Sequence, residues 1–419
     1  MELKPAYKET EVGIIPDDWE VLRMEEITDP DRPISYGIVQ TGPLIPNGIS
    51  CLRVLDINDG RINKHGLITT TKQISDSYAR TILKNGDLVM PLRGKVGDVG
   101  VVDSDLAGAN LTRGVALIAV QPKFSGRFLR QLISSTASRK RLEQSMNGSA
   151  LQEIPIATLR SFTLGLPSNL DEQRSIAQIL DDVDALLEGL HRLIAKKRDL
   201  KQAAMQQLVA GRTRLPGFSG VWRETTLGEI GECVIGLTYK PENVVDHGLL
   251  VLRSSNVQDG HLAYDDNVYV NIEVPGRLYT RFGDILVCVR NGSRALIGKC
   301  ALISEAPARV TFGAFMSVFR TKYWRFIFHA FQAESIQRQI RDNIGATINQ
   351  ITNKDMKALR VTLPPEDEQL AISTVLNDMN AEITALEQRL TKTRELKQAM
   401  MQELLTGRTR LIAAEVAYA

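Results

Sequence analysis

The chain has 419 residues, of which 43% are hydrophobic and 24% are charged, and its formal net charge is +2. A chain of this length and composition can bury the cores of two or more domains, so we expect a globular protein. Its first residues show no apolar leader, and no stretch approaches the roughly 18 apolar residues that a membrane span needs. These features predict a cytoplasmic protein, while the charge neither indicates nor excludes a nucleic-acid partner.

Residues 1–168 predict a mixed α/β domain. Short apolar runs punctuated by Gly, Asn and Asp, such as GDLVMPLR and GVALIAV, are typical of strands, and FLRQLISSTASRKRLEQSM predicts a closing helical stretch. Glycines flank several basic residues, which is typical of exposed loop tips that can approach a phosphate or a base edge. The candidates for DNA contact in this domain are Tyr36, Gln40, Arg93, Lys95 and Arg113.

Residues 169–212 predict one long helix. Ten positions step alternately by four and three from Ile176 to Leu208, and all are apolar except Lys197 and Lys201, which is a heptad pattern. Asp171 suits the beginning of the helix and Gly211 suits a cap at its end, which gives a length of about 60 Å at 1.5 Å per residue. Acidic residues crowd the first half and basic residues the second. Either the helix macrodipole or an antiparallel partner helix would favour that polarity.

Residues 213–365 predict a second mixed α/β domain with the same order of elements. The runs GDILVCVR and KCALI predict strands, and WRFIFHAFQAESIQRQIRD predicts another closing helical stretch. For each single basic residue in either domain, a solvated surface side chain is the plain alternative to DNA contact. The candidates in this domain are Tyr239, Lys240, Arg290, Arg294 and Arg309.

Residues 366–411 predict a second long helix, followed by a tail at 412–419. From Asp171 and from Asp367, two segments of 45 residues align without a gap, and both end in GRTRL. The domains before them match more weakly, as in LRVLDINDG against LRSSNVQDG. The chain is therefore a pseudo-twofold internal repeat of one plan. Two heptad seams in step predict an intramolecular antiparallel coiled coil, and a helix that lies on its own domain is the alternative.

No familiar catalytic pattern occurs in the sequence. GxxxxGK[ST], GxGxxG, HExxH, GxSxG and the Asn-Pro-Pro-aromatic motif of methyltransferases are all missing, and PLRGKVGDVG lacks the serine or threonine and the leading glycine spacing of a phosphate loop. The four cysteines never approach CxxC spacing, so we expect small core residues rather than a metal site or disulfides. We therefore predict no catalytic residue and no metal site in this chain.

These features resemble the specificity (S) subunit of type I restriction-modification systems. The resemblance covers nearly the whole chain and rests on the openings IPDDWEVLRMEEI and FSGVWRETTLGEI, on a GD[IL]LV-type strand in each domain, and above all on the duplicated segment from DEQ to GRTRL. It implies that each domain is a target-recognition domain reading one half of a split DNA sequence, and that the helices set the gap. One departure is SNLDEQ, which has an extra residue relative to PPEDEQ, so the two joints should differ slightly.

The resemblance also implies the partners. They are double-stranded DNA, two methyltransferase (M) subunits docked on the helices, and restriction/translocase (R) subunits in the full enzyme. AdoMet, ATP and Mg²⁺ then belong to those subunits, so no cofactor is expected in this non-catalytic chain.

Several alternatives stay open at this stage. A coiled-coil scaffold without a DNA role would explain the helices but not the two loop-rich domains. A self-contained restriction enzyme or methyltransferase would need catalytic residues of its own. The sequence also leaves open whether the basic helix ends contact the DNA backbone or an acid of a partner. Those residues are Arg212, Arg214, Arg408 and Arg410.

Overall fold

The computed structural model describes residues 6–147, 152–305, 310–344 and 349–411. The chain divides into two compact units: residues 1–191 with 389–419 form the first unit, and residues 192–388 form the second. Each unit contains one α/β body and a part of each long helix. Among the described residues, no helix is both long and apolar enough to cross a membrane.

The body of the first unit is built on two small sheets. Strands β10, β9, β12 and β4 form an antiparallel sheet, and β11, β5 and β8 form a second one in which β11 runs parallel to β5. The strands are β1 (Tyr7–Thr10), β2 (Gly13–Pro16), β3 (Trp19–Arg23), β4 (Ser35–Tyr36), β5 (Ile49–Leu52), β6 (Ile57–Asn58), β7 (Arg61–Ile62), β8 (Ile68–Thr70), β9 (Leu88–Pro91), β10 (Gly100–Val101), β11 (Asn110–Leu111), β12 (Val115–Ile118) and β13 (Thr163–Pro167). The helices are α1 (Met24–Ile27), α2 (Lys72–Ser77), α3 (Gly126–Ile133), α4 (Thr136–Gln144), α5 (Ile156–Ser161) and the long α6 (Leu170–Val209).

The body of the second unit repeats this topology. Strands β15, β24, β21 and β22 form the antiparallel sheet, and β16, β20, β17 and β23 form the other, in which β17 and β23 are parallel. The strands are β14 (Arg223–Thr226), β15 (Glu232–Ile235), β16 (Val244–Val245), β17 (Leu249–Leu252), β18 (Val257–Gln258), β19 (His261–Leu262), β20 (Val268–Val270), β21 (Ile285–Cys288), β22 (Cys300–Leu302), β23 (Val310–Phe312), β24 (Met316–Arg320) and β25 (Arg360–Leu363). The helices are α7 (Leu227–Ile230), α8 (Trp324–Gln332), α9 (Glu334–Asn343), α10 (Asn353–Ala358) and the long α11 (Glu366–Leu404). The mixed α/β class and the internal repeat are thereby confirmed.

Three of the four predicted strands, β9, β12 and β21, lie inside the antiparallel sheets, whereas KCALI forms the edge strand β22. Every residue of β9 and of β21 is buried, which explains why their sequences, LVMP and ILVC, are continuous apolar runs rather than alternating ones. The closing helical stretch of each body, in contrast, is two helices and not one. The chain becomes extended at Ser135 and at Ala333, and the Ser135 hydroxyl accepts the Ser138 N–H, so this serine ends α3 and caps α4.

The two long helices pack against each other antiparallel in both units, as the heptads predicted. In the first unit, Ile176 and Leu180 of α6 share a core with Leu404 of α11, and in the second Leu208 shares one with Ile372. All twenty predicted seam positions are buried or half-buried. They are Ile176, Leu180, Val183, Leu187, Leu190, Ile194, Lys197, Lys201, Ala204 and Leu208 of α6, and Ile372, Leu376, Met379, Ile383, Leu386, Leu390, Thr393, Lys397, Met400 and Leu404 of α11.

The beginning of α6 differs from the prediction in one respect. Asn169, rather than Asp171, supplies the cap, because its Oδ1 accepts the N–H groups of Asp171 at 2.7 Å and Glu172 at 3.3 Å. Asp171 lies in the first turn, where its charge is favourable near the helix N-terminus. The residue that lengthens the first joint is thus part of the capping sequence.

The repeated DEQ and GRTRL segments contact each other. In the first unit, Arg410 binds Glu172 through two hydrogen bonds of 2.6 and 2.9 Å, and in the second Arg214 binds Glu368 through two of 2.5 and 2.6 Å. The glutamate side chains are 1% and 0% exposed. We call these two pairs the Arg–Glu clasps. They answer the question that the sequence left open for Arg214 and Arg410: each meets an acid of its own chain.

The glutamine of each DEQ segment holds the joint to the preceding strand. Gln173 Nε2 donates to the Pro167 carbonyl and Gln369 Nε2 donates to the Pro364 carbonyl, both at 2.8 Å. Six residues separate the first pair and five the second. The joints therefore differ by the predicted extra residue and keep the same hydrogen bond.

The glycine of each GRTRL segment ends its helix against a tryptophan. Gly211 and Gly407 have φ values of +65° and +69°, the left-handed conformation of a C-terminal cap that glycine adopts without a steric penalty. A Cβ at Gly211 would lie 3.1 Å from the Trp222 ring. A Cβ at Gly407 would overlap Pro16 Cγ and lie 3.1 Å from Trp19.

Gly407→Ala should therefore destabilise the protein more than backbone strain alone explains. The matched control is Gly66→Ala, since Gly66 has a φ of +68° and open space where the Cβ would be. We expect a loss of about 1 kcal/mol for the control, and a further loss of about 1–3 kcal/mol for Gly407→Ala from the clash with Pro16. Urea denaturation of both variants measures the difference, and equal losses would show that the contact is unimportant.

Candidate nucleic-acid interface

Three of the predicted residues of the first unit lie together. Tyr36 and Arg113 line one surface cavity of about 440 Å³, next to Glu153. Arg93 joins them because its backbone forms an antiparallel bridge with Glu153, and its Nε would lie 3.4 Å from a Cβ at Gly114. The loop after β9 and the loop before β12 therefore place two arginines beside Tyr36 of β4 on one surface.

The other two candidates of this unit lie differently. Gln40 is exposed and follows Ile38, whose backbone bridges Thr112 beside the same loop. The Lys95 ammonium, although exposed, already donates a hydrogen bond to Asn58 Oδ1 on the β6–β7 hairpin. The Lys95 ammonium would therefore have to give up a hydrogen bond within the chain before it could bind DNA.

Arg290 of the second unit occupies the position of Arg93. Its backbone bridges Gln350 as that of Arg93 bridges Glu153, and its N–H donates to the Phe315 carbonyl at 3.1 Å. Its guanidinium lies over the Phe315 ring, 5.0 Å from the ring centroid, which is cation–π geometry. The loop therefore orients the Arg290 side chain before any ligand is present.

The remaining candidates of the second unit are less uniform. Tyr239 is half-buried and packs against an apolar cluster around Val251, so much of its ring serves the core. Lys240 is exposed, and Arg294 Nη2 donates to the Ile344 carbonyl at 3.3 Å. Arg309 lies outside the described residues.

The charge balance separates these arginines from the structural ones. Over the described residues, no carboxylate lies within 4 Å of the exposed Arg93, Arg113 or Arg290. The body arginines that bind buried carboxylates include Arg32 with Asp87, Arg139 with Asp98 and Arg320 with Asp284. An arginine without an internal counter-charge can bind a phosphate or a guanine edge without first breaking an ion pair.

Phe315 is the residue that sequence reasoning missed. Its side chain is 54% exposed beside Arg290, and the carbonyl that accepts the Val289 N–H is that of Phe315, just as the Gly114 carbonyl accepts the Leu92 N–H in the first unit. The two bodies therefore differ at this point by a whole aromatic ring. A comparison of GAFMSV with TRGVAL could have located the difference, but an aromatic beside a strand is usually a core residue.

The thiols of the bodies are unreactive in this environment. Burial raises the pKa of Cys51 and of Cys233 to about 11 and that of Cys300 to about 12, so these thiols stay protonated at neutral pH. Within the part of the chain that the structure describes, no group of three His, Cys, Asp or Glu side chains is arranged to hold a metal ion.

The comparison with protein families finds a match for both copies of the internal repeat. A profile described as the type I restriction modification DNA specificity domain matches residues 16–196 and again residues 222–398. The chain belongs to this family. The first match includes the loop of Arg93 and most of α6, and the second includes the loop of Arg290 and most of α11.

Individual relatives agree with this family. The chain is 30% identical over 203 residues to the type I restriction enzyme EcoBI specificity subunit of Escherichia coli, an alignment that covers 47% of this chain and 42% of that subunit. The MjaVIII specificity subunit of Methanocaldococcus jannaschii is likewise matched over only 51% of its length, so the chain matches about half the length of these two relatives. A putative MjaX specificity subunit of the same organism is 24% identical, with 97% of each chain covered.

Solved structures show the same fold. A crystal structure of a type I restriction-modification S subunit from M. genitalium has a TM-score of 0.56 at 16% identity and covers 96% of this chain and 99% of its own. A chain from a study of the assembly and conformational transition of a type I R-M system has a TM-score of 0.60 at 19% identity, with 94% and 99% covered. At these identities the likeness concerns the fold.

Arg290→Ala should weaken DNA binding by this specificity-domain protein. If the guanidinium contacts a guanine edge, we expect a loss of about 1–3 kcal/mol confined to one base position. If it contacts phosphate, binding should weaken for all sequences and the salt slope should fall by about one unit. Titration of target and unrelated duplexes at several salt concentrations distinguishes the two contacts.

Two further variants make this test specific. Phe315→Ala should produce part of the same loss, because the guanidinium loses the ring on which it stacks. Arg338→Ala is the control, since this exposed arginine lies on α9 and pairs with Glu334. Binding by Arg290→Ala that equals wild type on every duplex would show that the residue does not contact DNA.

Proposed function

We propose that the chain is the DNA sequence-recognition subunit of a type I restriction-modification complex. Each α/β body reads one half of a bipartite target, through Arg93, Arg113 and Tyr36 in the first unit and through Arg290 and Phe315 in the second. The observation that carries this proposal is the recurrence of one exposed, unneutralised arginine, Arg93 and Arg290, at the same loop position of both family domains.

The long helices serve as spacer and docking platform in this proposal. The Arg–Glu clasps recur in both copies, whereas the loops that carry Arg93 and Arg290 differ, which is what a chain needs if it meets two identical methyltransferase subunits and two different DNA sequences. A longer helix pair would place the half-sites further apart. Four added residues, roughly one turn, correspond to about 6 Å, or close to two base pairs.

The chemistry belongs to the partners in this proposal. AdoMet would bind the methyltransferase subunits, and ATP with Mg²⁺ would bind the restriction/translocase subunits, while this chain supplies only recognition and assembly. Arg93, Arg113 and Arg290 carry charge that a coiled-coil scaffold without a DNA role would not need, so no observation favours that alternative.

Exchange of one body tests the proposal. Replacement of residues 1–168 by the corresponding body of another specificity subunit should change one half of the methylated sequence and leave the other half unchanged. Sequencing of methylated DNA from cells with the chimera and the methyltransferase subunits gives the result. Four residues inserted in both long helices are the companion variant, which should change only the gap.

Two outcomes would contradict the proposal. A body exchange that alters both halves would show that one body does not read one half-site. Methyl transfer by the purified chain without other subunits would show that the chain is catalytic.

A further inference from the structure

A lysine in each long helix occupies the same place in the repeat and finds different surroundings. In the first unit, Lys397 Nζ lies 2.6 Å from Asp184 Oδ1. Asp184 also accepts hydrogen bonds of 2.8 Å from Arg130 and from Gln131. Burial alone would raise the pKa of Asp184, but the hydrogen bonds from Lys397 and Gln131 and the nearby positive charges lower it, so the carboxylate is charged and fully partnered.

The second unit has the equivalent lysine, Lys201, but no carboxylates at the equivalent positions of its long helix. The positions of Asp181 and Asp184 are taken by Asn377 and Asn380. The two residues that donate to Asp184 differ as well: Phe328 occupies the position of Arg130, and His329 occupies the position of Gln131.

The hydrogen bond of His329 agrees with this equivalence. Its Nε2 lies 3.1 Å from Asn377 Oδ1, in the place of the hydrogen bond of 2.8 Å between Gln131 and Asp181. Burial, assisted by the charge of Lys201, lowers the pKa of His329 to about 4. The imidazole is therefore neutral at physiological pH and leaves Lys201 as the charged member of the network.

Lys201 has no counter-charge of its own. It is half-buried, and over the described residues no carboxylate oxygen lies within 4 Å of its ammonium. Two acids line the same cavity: Asp259 is exposed on the turn between β18 and β19, and Glu387 binds Arg198 at 2.6 Å. Burial lowers the pKa of Lys201, and the charge of Asp259 opposes this only in part. An ammonium in such a place is stabilised by an anion.

The surroundings of Lys201 form a cavity that such an anion can enter. Its volume is about 560 Å³, and all its lining residues belong to the second unit. Gln332 also lines this cavity, and its Nε2 is a buried donor without a hydrogen-bond partner among the described residues. The charged side chains that line the cavity are three cations, Arg198, Lys201 and Lys299, and two carboxylates, Asp259 and Glu387.

We propose that this cavity binds a small oxyanion, for which inorganic phosphate is the simplest example. Lys201 supplies the charge, and Gln332 supplies a hydrogen bond that it does not make within the protein. The same phosphate chemistry can come from a free anion or from the DNA backbone. The proposal does not depend on the recognition function of the bodies, because it rests on the divergence of the two networks.

Phosphate titration of the full chain tests the site. At constant ionic strength maintained with sodium chloride, calorimetry should detect one saturable phosphate site, and phosphate should raise the melting temperature above that in chloride alone. Lys201→Met should weaken this binding by about tenfold or more, the effect of removing one charged donor, and Gln332→Leu should weaken it to a smaller extent.

Lys397→Met is the matched control from the other copy of the repeat. It should lower the melting temperature, because Asp184 loses a partner, and should leave phosphate binding unchanged. Displacement of phosphate by a short DNA duplex would identify the backbone as the source, and binding unaffected by the duplex would identify a free anion; both results support the site. The absence of a saturable phosphate response in the wild type, or an unchanged response in both Lys201→Met and Gln332→Leu, would overturn the proposal.

Discussion

The two Arg–Glu clasps are the constraint on which the architecture depends. Glu172 and Glu368 are almost completely buried at the beginnings of the long helices, and a buried carboxylate without a partner would cost several kcal/mol. Arg410 and Arg214 satisfy them, and each of these arginines follows the end of the other long helix. In each unit the clasp therefore holds a helix end beside a helix beginning, and the adjacent glycine and tryptophan attach that joint to the body. The antiparallel pairing follows from this arrangement and from the heptad seams.

The two copies have diverged where the clasps do not act. The joints retain the same glutamate, glutamine, glycine and arginine contacts, whereas the lysine network has exchanged two aspartates for asparagines. The loops beside Arg93 and Arg290 differ as well, because Phe315 occupies the position that Gly114 has in the first body. A common framework with different loops is what two readers of different half-sites require, so the divergence supports separate roles for the two bodies.

The repeat, the long helices and the central strands could be predicted because they depend on local pattern. The heptad spacing indicates a helix whatever surrounds it, and the buried strands are simply apolar. The clasps could not be predicted, since Arg410 and Glu172 are 238 residues apart and their pairing is a tertiary contact. Arg93 and Arg290 were proposed as DNA contacts because glycines lie close to them in the sequence, and their contact with DNA stays a prediction. Phe315 was missed because the exposure of its side chain depends on the neighbouring loop. The break at Ser135 was missed because a single extended residue interrupts an otherwise helical pattern.

A double-mutant cycle on Arg410 and Glu172 tests the central role of the clasp most directly. Arg410 also binds Asp18, lowering the pKa of that carboxyl through its hydrogen bond, so Asp18→Asn in every member of the cycle removes this contribution. In urea denaturation, Arg410→Met and Glu172→Met should each cost about 3–5 kcal/mol, because each leaves a charge without its partner. The double variant should cost much less than their sum, with a coupling energy of about 2 kcal/mol or more. A coupling energy below about 0.5 kcal/mol, the value typical of independent sites, would contradict the account.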